Sequence, residues 1–374
     1  MAVMYSPMQV LQGIWPLGVL AFGIALVLTP ILRAIAYRKG IVDRPDDLLK
    51  PHGRPIAYLG GIGICVAYLV AILAFGQMNL WVLCASIAAS TIVITLTGLL
   101  DDIVNLRPWY KILGQVLAAV ILFAGLAARG IMPAGMFFTG WLGLPYWLLG
   151  AVSLPFVVVV VISACNATNL LDGLDGLCGG VTGIIALGFL ALTVYLACYG
   201  HNGARDELRV LLCCAMAGGV LGFLPYNAPP ASIFLGDAGS MLLGFFVATL
   251  MMLFALEGTL RWFLAACVIF GLPILDTSLA VIRRALSGKN IFSGDRSHLY
   301  DQLVDRGMSV KKVVALFYLL ALLAAAIGVL QAIFLRTRQA IVLDLAILVI
   351  AAVIFVKNKM ILPPSRSSDS PQGH

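Results

Sequence analysis

Residues 166–177 read NATNLLDGLDGL. Two amides, Asn166 and Asn169, and two carboxylates, Asp172 and Asp175, recur at every third position. Long apolar runs flank the stretch on both sides. Acids and amides are costly to place in lipid, so their presence here points to a functional site. On a helix of 3.6 residues per turn, a three-residue step drifts by roughly 60°. The four polar groups would then cover about half of such a helix. Gly173 and Gly176 oppose a regular helix through the acids. The expected local structure is a turn that aims both acids inward.

The surrounding chain explains why such a turn would lie between membrane spans. Of 374 residues, 61% are hydrophobic and 11% charged, and the mean hydropathy is +1.03. That composition predicts an all-α polytopic integral membrane protein. Apolar runs at 13–36, 57–75, 80–99, 110–129, 141–162, 178–199, 208–224, 239–256, 262–282, 312–335 and 339–356 predict about eleven transmembrane helices, or ten. Residues 1–362 form one membrane domain in this reading, and the Pro- and Ser-rich segment 363–374 is a disordered tail. No Lys or Arg precedes the first apolar run, so that run is read as a retained span rather than a signal peptide. The eight cysteines lie almost entirely in apolar runs without paired spacing, which indicates packing rather than disulfides or a metal centre.

Charge sets the expected orientation. With eleven spans, one side holds 18 of the 24 Lys and Arg residues. The positive-inside rule makes that side cytoplasmic, with the N-terminus periplasmic and the C-terminus cytoplasmic. The same side holds 13 of the 17 acids, which that rule does not require. Acids crowded beside bases at one face suggest handling of cations and phosphates. The net charge of +7 is accounted for by orientation and does not call for nucleic acid.

Five loops on that side carry the candidate chemistry. The first places Lys50, His52 and Arg54 before Gly60, Gly61 and Gly63, and serves either as a positive-inside anchor or as a phosphate contact. In the second, Asp101 and Asp102 follow a span directly, with Arg107 and Lys111 nearby. Adjacent like charges raise each other's pKa unless a cation intervenes, so the pair is a candidate metal site or proton acceptor. The third is the opening stretch. In the fourth, Asp237 sits between Gly236 and Gly239 at a span entrance, as a metal ligand, a helix N-cap or both. Phe234 precedes it and is suited to stack on a flat ring. In the fifth, Ser297 is the expected N-cap of an amphipathic helix that carries Leu299 and Leu303 on one face and stops at Gly307. Arg296 and His298 lie at its start. Asp276, inside the ninth run, needs a partner, for which Arg283 or a hydroxyl is available. Carboxylates, bases and phosphate oxygens together fit Mg²⁺-assisted phosphoryl transfer between a soluble substrate and a lipid. The competing class is a cation-coupled transporter, which would place its charges near the midplane and gate both faces.

Asp-Asp at 101–102, NATNLLDGLDGL at 166–177, FLGDAGS at 234–240 and DRSHL at 295–299 resemble the polyprenyl-phosphate N-acetylhexosamine-1-phosphate transferase superfamily. The resemblance covers residues 37–311 in the same order. It implies an enzyme of the bacterial inner membrane with its site on the cytoplasmic face. The implied reaction moves a sugar-1-phosphate from a UDP-N-acetylhexosamine to undecaprenyl phosphate and releases UMP. The implied cofactor is Mg²⁺, with Mn²⁺ as a substitute. The implied catalytic residues are Asp101, Asp102, Lys111 and His298. Asn166, Asn169, Asp172, Asp175, Phe234 and Arg296 are assigned to the nucleotide, pyrophosphate and sugar, and Asp237, Asp172 and Asp175 to the metal. Membrane lipids complete the partner set, which excludes nucleic acid and leaves a homodimer open. The pentapeptide-transferase branch carries a run of histidines in loop five, whereas here His298 is followed by Leu299, Tyr300 and Asp301. That departure favours a smaller sugar, as in O-antigen initiation, with phospho-N-acetylmuramoyl-pentapeptide transfer as the alternative.

Overall fold

The computed structural model describes residues 6–43, 55–76, 78–134, 146–199, 204–255, 260–286, 288, 298–358 and 360. Lys50, His52, Arg54, Arg296, Ser297 and the tail 363–374 lie outside the described residues.

The chain is an all-α polytopic membrane protein. A short helix, α1 (Pro7–Leu11), is followed by α2 (Trp15–Lys39), which stops at Gly40 in the left-handed region at φ 71°. A two-stranded antiparallel pair, β1 (Val42–Asp43) and β2 (Ile56–Ala57), leads into α3 (Gly60–Ala74). Next come α4 (Trp81–Val104), α5 (Pro108–Ala127), α6 (Tyr146–Leu171), α7 (Leu177–Tyr199) and α8 (Ala204–Asn227). The last six are α9 (Gly236–Ala255), α10 (Leu260–Ile269), α11 (Gly271–Leu286), α12 (Leu299–Asp305), α13 (Val310–Phe334) and α14 (Thr337–Lys357).

Within the described residues each apolar run is mainly helical, but two are not simple spans. Among the described residues, nine helices are long and apolar enough to cross a bilayer, or up to ten when the α10–α11 pair counts as one broken span. Helix α3 has only 15 residues, fewer than the roughly 20 that a full crossing needs. The ninth run bends by 73° between α10 and α11. Pro273 explains the break: it cannot donate to the carbonyl of Ile269, and its ring crowds that carbonyl.

Helix α9 is the centre of the bundle. Its spanning window is wholly buried, and α3, α4, α6 and α10 pack around it. Burial of all faces is possible because small residues let backbones approach. Gly61 of α3 abuts Gly239, and Gly98 of α4 abuts the Asp237–Ala238 backbone. At the far end, Arg209 of α8 is fully buried. It donates to the Leu253 carbonyl and to Asp206, each at 2.7 Å.

A methyl at Gly98 would lie 2.4 Å from the Asp237 carbonyl oxygen, so α9 would have to move. Gly98→Ala should destabilise the fold by about 1–3 kcal/mol. Thermal unfolding in detergent should show a lowered Tm. Gly23→Ala, whose methyl meets nothing within 4 Å, should leave Tm unchanged. Equal midpoints for both variants would contradict this packing.

Candidate active site

The site is built where α4 ends, α5 and α9 begin, and α6 passes into its glycine turn. Helix α4 closes at Asn105, where the left-handed φ of 54° turns the chain, and Pro108 starts α5. Asp101 holds this corner by accepting the Leu106 N–H at 2.9 Å. Its other oxygen meets Lys111 Nζ at 2.7 Å. The same ammonium contacts Asp237 Oδ2 at 2.5 Å. Asn169, two residues before the end of α6, donates to Asp237 Oδ1 and to Ser240 Oγ, both at 2.9 Å. Asp237 is thus held by a cation on one oxygen and an amide on the other.

Asp102 does something different from its neighbour. Its two oxygens accept the backbone N–H groups of Asp237 at 2.8 Å and Ala238 at 3.1 Å. It therefore caps α9 from another helix and satisfies donors that a helix N-terminus leaves open. The N-cap reading of Asp237 is corrected accordingly: the helix begins at Gly236, Asp237 lies in its first turn, and Asp102 provides the cap.

The acidic turn has the expected form. Helix α6 ends at Leu171, residues 172–176 are turn, and α7 begins at Leu177. Gly176 has a left-handed φ of 75°. Its N–H donates to Asn227 Oδ1 at 3.1 Å, and its carbonyl accepts from Tyr318 Oη at 2.6 Å. Asp175 Oδ2 accepts the Ala231 N–H at 2.8 Å. Asp172 accepts no hydrogen bond from the described residues. It lines a cavity of about 550 Å³ with Asp43, Tyr58, Asn169, Asp175, Asn227, Phe234 and Asp237. Enclosure, then the charges of Asp237, Asp102 and Asp175, hold the Asp172 pKa well above the carboxylate range.

Backbone pairing fixes the cavity wall opposite the turn. Phe234 N–H donates to the Ala57 carbonyl at 2.8 Å, and Gly60 N–H returns to the Phe234 carbonyl at 3.1 Å. The Tyr58 and Phe234 rings stand 6.1 Å apart at 51°. Burial and the neighbouring Asp43 raise the Tyr58 pKa, so its hydroxyl stays protonated.

Of the residues singled out in the sequence, Asp101, Asp102, Lys111, Asn169 and Asp237 meet directly. Asp172, Asp175 and Phe234 share the cavity with Asn169 and Asp237. Asn166 does not line it; its amide donates to Gln115 Oε1 at 3.0 Å and to its own helix. His298 is buried just before α12 against Asp276, with Nδ1 and Oδ2 2.9 Å apart. The Asp276 partner is therefore His298, not Arg283 or a hydroxyl. His298, rather than Ser297, holds the N-cap position of α12, and Gly307 ends that helix with φ 92°. Asp43, Tyr58 and Asn227 were missed. The only sequence signals for them are an acid closing a short apolar step and polar groups beside Gly-Gly and Pro-Pro.

The donor set is one of hard oxygens, which suits Mg²⁺. Among the described residues, no three His, Cys, Asp or Glu side chains gather as a metal cage. Asp172, Asp175 and Asp237 line one cavity, and one Asp175 oxygen accepts the Ala231 N–H. An ion that takes one or two carboxylates together with water and phosphate oxygens still fits Asp237 and Asp172.

The family model described as Glycosyl transferase family 4 matches residues 84–255. The Bacillus subtilis (strain 168) protein named "Probable undecaprenyl-phosphate N-acetylglucosaminyl 1-phosphate transferase" is 31% identical over 297 residues, covering 79% of this chain and 78% of that one. The chain belongs to glycosyl transferase family 4. The Decaprenyl-phosphate N-acetylglucosaminephosphotransferase of Mycobacterium tuberculosis (strain ATCC 25618 / H37Rv) is 30% identical, with 90% and 86% of the two chains covered. The Phospho-N-acetylmuramoyl-pentapeptide-transferase of Heliobacterium modesticaldum is 30% identical, with 83% and 93% covered. This family member is a glycosyl-1-phosphate transferase of the multi-pass membrane type.

The raised Asp172 pKa has a consequence for stability. The native state holds a proton there at pH values where the unfolded chain has lost it, so stability falls as pH rises above the ordinary carboxylate range. Asp172→Asn should therefore raise Tm at neutral pH and flatten its decline between about pH 4 and 7. Thermal scans without divalent cations or nucleotide check this. An unchanged slope would exclude Asp172 as its source.

Proposed function

We propose that this protein transfers an N-acetylhexosamine-1-phosphate from a UDP-sugar to undecaprenyl phosphate at the cytoplasmic face of the bacterial inner membrane. The lipid phosphate oxygen forms a bond to the phosphorus that carries the sugar. The bond from that phosphorus to the bridging oxygen breaks, and UMP leaves with the electron pair. The observation that carries this reading is Lys111, held between Asp101 and Asp237 beside an acidic cavity. A fixed ammonium, an amide-held carboxylate and a cavity of hard oxygens suit a diphosphate that arrives with a divalent cation. Phosphoryl transfer relies mainly on positioning and charge stabilisation, and these residues supply both.

Asp237 and Asp172 would hold Mg²⁺, which when bound polarises the diphosphate oxygens. Lys111 neutralises phosphate charge from the α5 side. Asp101, in contact with Lys111, is the carboxylate to receive the acceptor phosphate's proton. Phe234 and Tyr58 present ring faces to the nucleobase. Asp102 acts through α9 by holding Asp237 in place. The basic residues gathered with the site loops support an inward-facing site.

The sugar is an N-acetylhexosamine of the O-antigen-initiating type, since loop five carries His298 without further histidines after it. The similarity to pentapeptide transferases supports the second reading, transfer of phospho-N-acetylmuramoyl-pentapeptide. Purified protein with Mg²⁺, undecaprenyl phosphate and a panel of UDP-sugars, the muramoyl-pentapeptide donor included, separates them. UMP release with UDP-N-acetylglucosamine or a related donor is expected. Release with the pentapeptide donor alone would select the second reading, and none with any donor would overturn both.

Asp237→Asn keeps the shape of the site and removes a charge. It should lower turnover by at least about 100-fold while leaving protein folded in the membrane. Near-normal turnover would remove Asp237 from the metal role.

A further inference from the structure

Asp276 lies in α11 with 1% of its surface exposed. Both of its oxygens serve the chain after the cytoplasmic loop. Oδ2 is 2.9 Å from His298 Nδ1, and Oδ1 accepts the Leu299 N–H at 2.7 Å. A carboxylate accepts only, so Nδ1 carries the hydrogen of this bond and the ring is held in one orientation. The His298 ring then stacks on Tyr300 at 5.6 Å with 8° between planes. Tyr300 Oη donates to the Leu170 carbonyl at 3.1 Å. A methyl on Gly173 would meet that hydroxyl at 2.1 Å, so Tyr300 lies directly on the acidic turn beside Asp172.

These contacts form one path from the bent helix pair to the turn. A buried carboxylate with no other assignment sets the ring orientation of a family-motif histidine. It also fixes the first N–H of the helix that presses on Gly173. We propose that Asp276 is a positioning residue for the transfer reaction, acting through His298 and α12 on the acidic turn. The proposal rests on the transferase reading above. Asparagine at this position has one acceptor and one donor, so either the His298 Nδ1–H or the Leu299 N–H would face another donor.

The test uses full-length protein in detergent and the donor that supports turnover. Asp276→Asn should lower kcat/KM by about 10–100-fold, as expected for misplacement of a working group. Asp276→Glu, which keeps both acceptors, should recover part of that loss. His298→Gln and the double variant His298→Gln/Asp276→Asn should agree within about threefold, because residues acting as a unit are not additive. Losses that multiply would overturn the proposal, as would a near-normal Asp276→Asn or equal losses in the Asn and Glu variants. Hydrogen exchange gives a readout that needs no turnover. Amides of residues 299–305 should exchange about tenfold faster in Asp276→Asn, with those of α9 unchanged. Unchanged exchange would overturn the role of Asp276 whatever the chemistry. Absence of UMP release by the wild-type protein would overturn the transferase reading alone.

Discussion

Everything at the site depends on how the ends of one buried helix are satisfied. Helix α9 has no face toward solvent or lipid along its spanning window. Its first N–H groups and last carbonyls must find partners inside the protein, since orphan groups there are costly. Asp102 provides them at the N-terminus and Arg209 at the C-terminus. The signs match the helix dipole, negative at the start and positive at the end. Both come from other helices, so α9 is fixed along its axis by neighbours. Asp237, in its first turn, and Ser240, just beyond it, inherit that placement.

This constraint separates two acids that sequence alone treats as a pair. Adjacent residues on a helix point about 100° apart, so Asp101 and Asp102 face different neighbours. The structure gives them different partners. Asp101 meets Lys111 and closes the corner into α5, while Asp102 faces the backbone of α9. Asp101 therefore has a cation as partner and Asp102 has backbone donors. The same geometry separates Asn166 from Asn169. One reaches Gln115 and the other Asp237.

Hydropathy made the spans legible, because the cost of exposing polar backbone to lipid leaves helices as the only option for such runs. The acidic turn was legible for a similar local reason: Gly173 and Gly176 cannot sustain the helix that precedes them. What stayed hidden was set by contacts between distant segments. The pairing of Phe234 with Ala57 joins residues far apart in sequence, and no periodicity encodes it. Asp43 and Tyr58 reach the cavity through the β1–β2 pair and that pairing, and Asn227 through its bonds to Gly176 and Ile233. The short α3 and the break at Phe270 were hidden because apolar composition reports burial in lipid, not straightness. His298 could be identified as a motif residue, but its partner Asp276 lies on another helix.

The charge balance of the cavity bears on the proposed chemistry. Asp43, Asp172, Asp175 and Asp237 line it, and no Lys or Arg among the described residues does so. Lys111 reaches Asp237 from one side but does not reach Asp172. Burial first, and then the charges of Asp237, Asp102 and Asp175, raise the Asp172 pKa. A free diphosphate would be repelled by such a cavity, and a cation alone would find few complete ligand sets. A diphosphate arriving with its own divalent ion meets both demands, since the ion adds positive charge where Lys111 is absent and the phosphates complete its coordination. On this argument the acidity of the pocket, which looks unsuited to an anionic donor, selects for the donor in its metal-bound form.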